Sequence, residues 1–434
     1  MERTSMARKL FQGDKSVWII FLLLSCISII EVFSATSTLA YRHANIFMPI
    51  ARHASFLLVG FLLILGLTHT HYKFFSLGIL LLPVSILLLV ATLVWGVSEN
   101  EATRRLDLFG MPFQPSEFGK LACVIFVAFL LSKREKLTNE KIFKFIRWGV
   151  GAVCLLIFIA NISTALILGA VCFLLMFIGQ IPLKKLGRLL LDLLGLALIV
   201  ILLMCVIPEE TTRKYLPARV ATGQKRIHTF IGFKTNANQS ANATYRITND
   251  NYQITQSMIA IARGGVLGKL PGQSVQRDIL PRAWDDFIYA IIVEELGVMG
   301  GLFVLLLYLM LVIRAGVIAR RCEKLFPKFI VIGSALLIMI QALVHMGVAV
   351  GLMPVTGQPL PLISRGGTSI VITSVYVGMI LSVSRFGANM NEEEEEESDE
   401  ADDIEGNNGE NDPENDENPE ENGSLAAEIE ETAS

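Results

Sequence analysis

Three groups of polar residues lie in or beside apolar stretches, where a polar group is costly and raises a functional question. The first is Gln114-Pro-Ser-Glu-Phe-Gly-Lys120. Pro115 suits a first helical turn, and the i,i+3 spacing puts Glu117 and Lys120 on one face, close enough to pair. That pair is either a structural ion pair fixing a helix bundle or the charged wall of an outward-facing cavity. The second group is Trp284-Asp-Asp-Phe-Ile-Tyr-Ala-Ile-Ile-Val-Glu-Glu295. Asp286 stands where a polar segment meets an apolar helix, near water but backed by a low-dielectric wall. A carboxylate there could serve as a general base, or it could cap the helix. Glu294 and Glu295 lie two turns deeper, and at least one should face the bundle interior as a paired structural charge or a cavity lining. The third group runs from Gly351 to Ser369, where three prolines preclude a continuous helix. Non-helical backbone at membrane depth survives only when buried in protein or lining a polar cavity. Free N–H groups around Gly366, Gly367, Thr368 and Ser369, where the last apolar helix starts, could hold an anion such as pyrophosphate.

Weaker signals surround these groups. Arg219 and Arg226 stand in a polar segment and could bind phosphates. Glu31, Asp192, Gln341 and His345 fall inside apolar runs, where internal hydrogen bonding is the default. There is no ATP-binding P-loop and no HExxH zinc motif. Carboxylates and anion sites in an outward cavity suggest a lipid-pyrophosphate substrate, without naming the chemistry.

The elements that must position these residues follow from composition. The chain has 434 residues, is 53% hydrophobic and has a mean hydropathy of +0.54, too apolar for an ordinary soluble protein. A bilayer-spanning helix needs about 20 mostly apolar residues. Ten such runs are expected: Val17–Leu39, Met48–Leu67, Phe74–Val97, Pro115–Leu131, Trp148–Ile162, Ala165–Ile181, Leu186–Ile207, Asp286–Ile313, Phe329–Gly351 and Gly367–Ser384. The fold class is therefore all-α and polytopic, with the first span retained rather than cleaved as a signal peptide. Basic residues cluster before the first span and in the fourth, sixth and eighth connectors, all on one side of a ten-span chain. That side should be cytoplasmic, with both termini inside. Residues 1–16 then form a cytoplasmic N-terminus, 17–387 the membrane domain and 208–284 a long outer loop carrying structured elements.

The net charge of −3 is misleading, because residues 391–434 hold 21 of the 40 acids and no Lys or Arg. The remaining body carries 37 basic and 19 acidic residues, a net of +18 that suits contact with anionic lipid. The acidic segment 388–434 cannot bury enough apolar surface to fold and is expected to be a disordered cytoplasmic tail. The six cysteines show no metal or disulfide spacing and read as small packing residues.

In this order, on ten spans, the polar groups resemble the SEDS family of shape, elongation, division and sporulation proteins. The resemblance covers roughly residues 15–387. It rests on Gln114-Pro-Ser-Glu-x-x-Lys120, Gln256-Ser-x-x-Ala-Ile-x-x-Gly-Gly265, Asp286-Phe-Ile with Glu294-Glu-Leu-Gly297, and Pro354-Val-Thr-Gly-x-Pro-Leu-Pro361. Gly272-Gln-Ser-Val-Gln-Arg277 and Met353-Pro-Val-Thr-Gly357 are more similar to the division members than to the rod-shape members. The resemblance implies a peptidoglycan glycosyltransferase that polymerises lipid II at the outer face of the membrane. Asp286 matches the family's catalytic acid and would deprotonate the attacking sugar hydroxyl. Glu117, Lys120, Arg219, Arg226, Gln256, Ser257, Glu294, Ser364, Thr368 and Ser369 would contact substrate. A divalent cation, Mg or Mn, could neutralise the diphosphate, with no ligand set defined by the sequence. The implied partners are lipid II, undecaprenyl-pyrophosphate-linked glycan, a class B penicillin-binding protein, other division proteins and membrane lipid, but not nucleic acid. The implied location is the bacterial inner membrane at the division septum.

The chain departs from the family pattern at several positions. Trp284-Asp285 replace a usual His-Thr, Ala160-Asn161 a Pro-Asp pair, Arg105 a Trp, Arg365 a Tyr and His345 an Asn. A lipid II flippase, a non-catalytic division scaffold and an O-antigen ligase or polymerase are the competing readings.

Overall fold

The apolar runs fold as helices because a bilayer offers no partner for an unpaired backbone group. The computed structural model describes residues 11–36, 48–99, 102–108, 111–206 and 251–386. The chain divides into two units, Met1–Ala388 and Asn389–Ser434, and all described residues belong to the first. The acidic segment, Arg219 and Arg226 lie outside the described residues.

Helix α1 spans Lys15–Ala35 and α2 Met48–His69. A 3₁₀ turn, Tyr72–Leu80, runs into α3, Leu81–Trp95. Then follow α4, Pro115–Ser132; α5, Asn139–Ala160; α6, Ile162–Ile178; and α7, Leu183–Val206. Two short helices, α8 (Tyr252–Gly264) and α9 (Gln276–Ile279), precede α10 (Ile288–Arg320) and α11 (Leu325–Ala349). The last helix, α12, spans Gly367–Phe386. Among the described residues, eight segments are long and apolar enough to cross a membrane; α6, at 17 residues, is shorter. The protein is thus a polytopic helical membrane protein.

Several boundaries move for physical reasons. Helix α5 starts at Asn139, not Trp148, because Ile142 and Ile146 are buried at i,i+4 spacing while Lys141, Lys144 and Arg147 point outward. Asn161 alone joins α5 to α6, with extended backbone. Helix α10 runs on to Arg320, where Arg314 pairs with Asp14, the residue that caps α1 by accepting from Val17 N at 3.1 Å. The connector between α3 and α4 forms a ribbon absent from the sequence expectation. Strands β1 (Val97–Glu99), β2 (Ala102–Leu108) and β3 (Met111–Phe113) pair antiparallel in the order β1-β2-β3.

The buried core is built around α4, α10, α11 and α12. Val124, Ile330, Val331 and Ile380 are all fully buried there. Around this centre, α2, α3 and the outer face of α10 carry exposed apolar side chains, as lipid-facing helices do.

Candidate active site

Asp286 is placed by the backbone around it. It lies half-buried in the turn 281–287, one residue before Phe287, the N-cap position of α10. Non-helical backbone from the segment 351–366 crosses that turn. Arg365 N donates to Trp284 O at 3.0 Å, and Ser364 Oγ donates to Asp285 O at 2.8 Å. Ser364 Oγ also accepts from Leu360 N at 2.7 Å, which closes a tight turn on the same hydroxyl. Arg365 is half-buried near Arg52 and Asp285. Burial and the Arg52 charge pull the Arg365 guanidinium below its usual range, and Asp285 pulls it back up. A guanidinium stays charged through such shifts. Two cations and two carboxylates therefore share this end of the molecule, beside the first turn of α12 with Thr368 and Ser369.

The crossing segment is held by four helices, with a fifth behind one of them. Tyr308 of α10 donates its hydroxyl to Pro361 O. Ser28 of α1 donates to Ile363 O at 2.9 Å and contacts His53 Nε2 of α2 at 2.7 Å. Gln341 of α11 donates to Pro359 O at 3.0 Å, and His345 Nδ1 meets Gln358 O at 2.8 Å. Gln358 in turn donates to Thr164 Oγ1 of α6 at 2.7 Å. These donors satisfy carbonyls that the prolines leave outside any helix, which is what lets such backbone lie at membrane depth. The expectation of internal hydrogen bonding is met for Gln341 and His345 but not for Glu31, whose buried carboxylate oxygens lack a hydrogen-bond partner among the described residues, nor for Asp192, which is exposed.

Glu117 and Lys120 join the same network from α4. Lys120 Nζ lies 2.8 Å from Glu117 Oε1 and donates to Gln341 Oε1 at 2.7 Å. Their side chains are 2% and 0% exposed. The pair couples α4 through Gln341 to Pro359 of the crossing segment.

Glu294 and Glu295 do a different job. Both are fully buried in α10 and accept from the segment 272–276. Glu294 accepts from Ser274 Oγ, from Val275 N at 3.3 Å and from Gln276 N at 3.2 Å. Glu295 accepts from Ser34 Oγ of α1, from Gly272 N at 3.0 Å and from Ser274 N at 3.3 Å. The helix breaks just below them at Gly297, where φ is 73°. The break frees carbonyls and amides to pair with the segment after α8: Lys269 N and Leu270 N donate to Glu294 O and Glu295 O, and Val298 N donates to Gly265 O. A Cβ on Gly297 would sit 2.1 Å from Val266 O, so only glycine fits this crossing.

Gln256 and Ser257 sit on the buried face of α8. Ser257 Oγ donates to Ala349 O at 2.8 Å, pinning α8 to the last turn of α11. The structure thus brings Asp286, Ser364, Thr368 and Ser369 to one end and ties Glu117 and Lys120 to it through Gln341 and Pro359. Glu294, Gln256 and Ser257 hold the α8 region instead. Among the described residues, no group of three or more His, Cys, Asp or Glu side chains converges as metal ligands would.

Sequence reasoning missed Ser28, His53 and Tyr308 as anchors, because a lone hydroxyl or imidazole in an apolar run carries no spacing signal. It also passed over Ser34 and Ser274. The cue for these two was the paired Glu294 and Glu295, whose burial demanded donors from elsewhere.

Comparison with known proteins agrees with this architecture. Residues 14–389 match the family model described as "Cell cycle protein", which covers FtsW, RodA and SpoVE. The chain is 31% identical over 389 residues to stage V sporulation protein E of Bacillus subtilis, covering 88% of this chain and 99% of that one. It is 29% identical over 385 residues to a probable peptidoglycan glycosyltransferase FtsW of Geobacter metallireducens, covering 86% and 94%. A solved structure reported under "Structural coordination of polymerization and crosslinking by a peptidoglycan synthase complex" shares the fold, with a TM-score of 0.68 at 24% identity, covering 86% of this chain and 98% of that one. With residues 14–389 matching the family model, the chain belongs to the FtsW/RodA/SpoVE family, the SEDS proteins.

Proposed function

We propose that this protein is a peptidoglycan glycosyltransferase that polymerises lipid II into glycan strands, working with a class B penicillin-binding protein at the outer face of the bacterial inner membrane during septal wall synthesis. The observation that carries this reading is the half-buried Asp286, in a turn whose Trp284 and Asp285 carbonyls are held by Arg365 and Ser364 of the crossing segment. The names of its relatives and the shared fold support it.

In this reading Asp286 takes the proton from a sugar hydroxyl as that oxygen attacks the anomeric carbon of the lipid-linked chain. The new C–O bond forms as the bond from that carbon to the pyrophosphate oxygen breaks. The electron pair leaves with the pyrophosphate, and the proton on Asp286 later passes to water. Arg365 and the first-turn amides of α12, at Thr368 and Ser369, stabilise the leaving charge. Arg219 and Arg226 are assigned to phosphate binding as well. Glu117, Lys120, Gln256, Ser257 and Glu294 act by holding the walls of the site. A divalent cation is assigned to the substrate diphosphate, supplied with it from solution. The basic connectors support a cytoplasmic position for both termini.

The test is to mix purified protein, its class B partner, labelled lipid II and a divalent cation, and to resolve the products by length. Glycan strands are expected. Lipid II moved across a vesicle membrane with no strands formed would replace the polymerase with a flippase. Neither product from an intact complex would leave a division scaffold.

A further inference from the structure

We infer that the basic face of the bundle carries a binding site for an anionic phospholipid headgroup, in the cleft between α5 and α7. A cavity of about 270 Å³ opens there, lined by Phe143, Arg147, Lys184, Lys185, Arg188, Leu189 and Asp192. Four of these seven residues are cations, and they come from two different helices. The other connectors are basic as well, so charge alone does not single out this place. Three further features do.

The first is packing. Among the described residues α7 packs chiefly against α6, which leaves a gap between α7 and α5 at this end. The second is depth. Helices rise about 1.5 Å per residue, so Lys184 to Asp192 covers about 12 Å, from the water into the headgroup layer and the top of the hydrocarbon. Trp148 stands exposed on α5 with the Arg147 guanidinium 5.9 Å from its ring centre. A tryptophan so exposed on a spanning helix marks the interface level. The third is the mixed lining. Phe143 and Leu189 are half-buried and offer an apolar floor where acyl chains would begin, below the cationic rim.

A free phosphate has no use for that floor, whereas a phospholipid needs both parts. Lys185 is the cation already engaged, at 2.9 Å from the exposed Glu140. Lys184 and Arg188 are exposed and spaced i,i+4, so they share a face toward the cleft. Asp192 adds acceptors beside them, which suit the hydroxyls of a glycerol headgroup such as that of phosphatidylglycerol or cardiolipin. Basic pockets between spanning helices are a recognised lipid-binding arrangement. A lipid seated here fills the gap that α5 and α7 leave.

The experiment uses the full-length protein in detergent with defined lipids, read by native mass spectrometry and by lipid titration. The probes are cardiolipin, phosphatidylglycerol, phosphatidylcholine and glycerol 1-phosphate. Phosphatidylglycerol and cardiolipin are expected to stay bound where phosphatidylcholine is lost. The double variant Lys184→Gln, Arg188→Gln should weaken them about tenfold or more, one charge-assisted contact being worth about that factor. The charge-conserving Lys184→Arg, Arg188→Lys variant should retain them, which shows that the fold is intact. The control Arg320→Gln, Arg321→Gln on another basic connector should bind as wild type. Equal loss in the control variant would reduce the effect to diffuse surface charge and overturn the site. Unchanged binding in the Lys184/Arg188 variant would overturn it too. Competition by glycerol 1-phosphate as strong as by the lipid would make it a free-anion site and reject the lipid.

Discussion

Asp286 and Glu294 stand eight positions apart at the same end of α10, and each meets a Pro- or Gly-rich segment that no helix could continue. At Glu294 and Glu295 the segment 272–276 donates its amides and a serine hydroxyl directly to the carboxylates, which are fully buried. At Asp286 the segment 360–365 spends its polar groups on the backbone of Trp284 and Asp285, and the Asp286 side chain is half-buried. A carboxylate saturated by backbone N–H groups holds structure. Asp286, in a half-buried turn braced through its neighbours' backbone, is the carboxylate proposed to take a proton.

That contrast can be broken at either end. The largest effect is expected from Asp286→Asn, which should lower lipid II polymerisation by about 10²–10⁴-fold, the usual contribution of a general base. Its thermal unfolding in detergent should match wild type. Lys120→Met should leave Glu117 buried without its partner and cost about 3–5 kcal/mol of stability. Adding Glu117→Gln should return much of that loss, which a double-mutant cycle on unfolding midpoints will show. Glu295→Ala should strand donors of Ser34, Gly272 and Ser274, at roughly 1–3 kcal/mol for each one left unsatisfied. Hydrogen exchange across 269–277 should quicken, while polymerisation per folded molecule falls far less than with Asp286→Asn. Ser257→Ala should be mildest, at about 1 kcal/mol for one lost hydrogen bond to Ala349 O.

The helices were legible because apolar length and charge flanks report directly on burial in lipid. Pro115 marks the start of α4 in both the expectation and the structure, and Met48 that of α2. The ends of α5 and α10 were not, because charged residues on an amphipathic helical turn look like connector when counted by hydropathy alone. The β ribbon at 97–113 was illegible for a related reason: its short strands lack the alternation that signals a buried face. At the site, Glu117 with Lys120 was legible as a pair from i,i+3 spacing. Its link to Gln341 and Pro359 was not, since that contact joins residues more than two hundred positions apart. Likewise the sequence marked Glu294 and Glu295 as costly but could not name the amides that satisfy them, because backbone donors leave no trace in residue type.

The most direct test puts both carboxylates through one assay. Wild type, Asp286→Asn and Glu294→Gln, each purified with the class B partner and matched for folded fraction, would be given labelled lipid II and their glycan strands resolved. The account predicts strands from wild type and, per folded molecule, from Glu294→Gln, with almost none from Asp286→Asn. Strands from Asp286→Asn at the wild-type rate would contradict it.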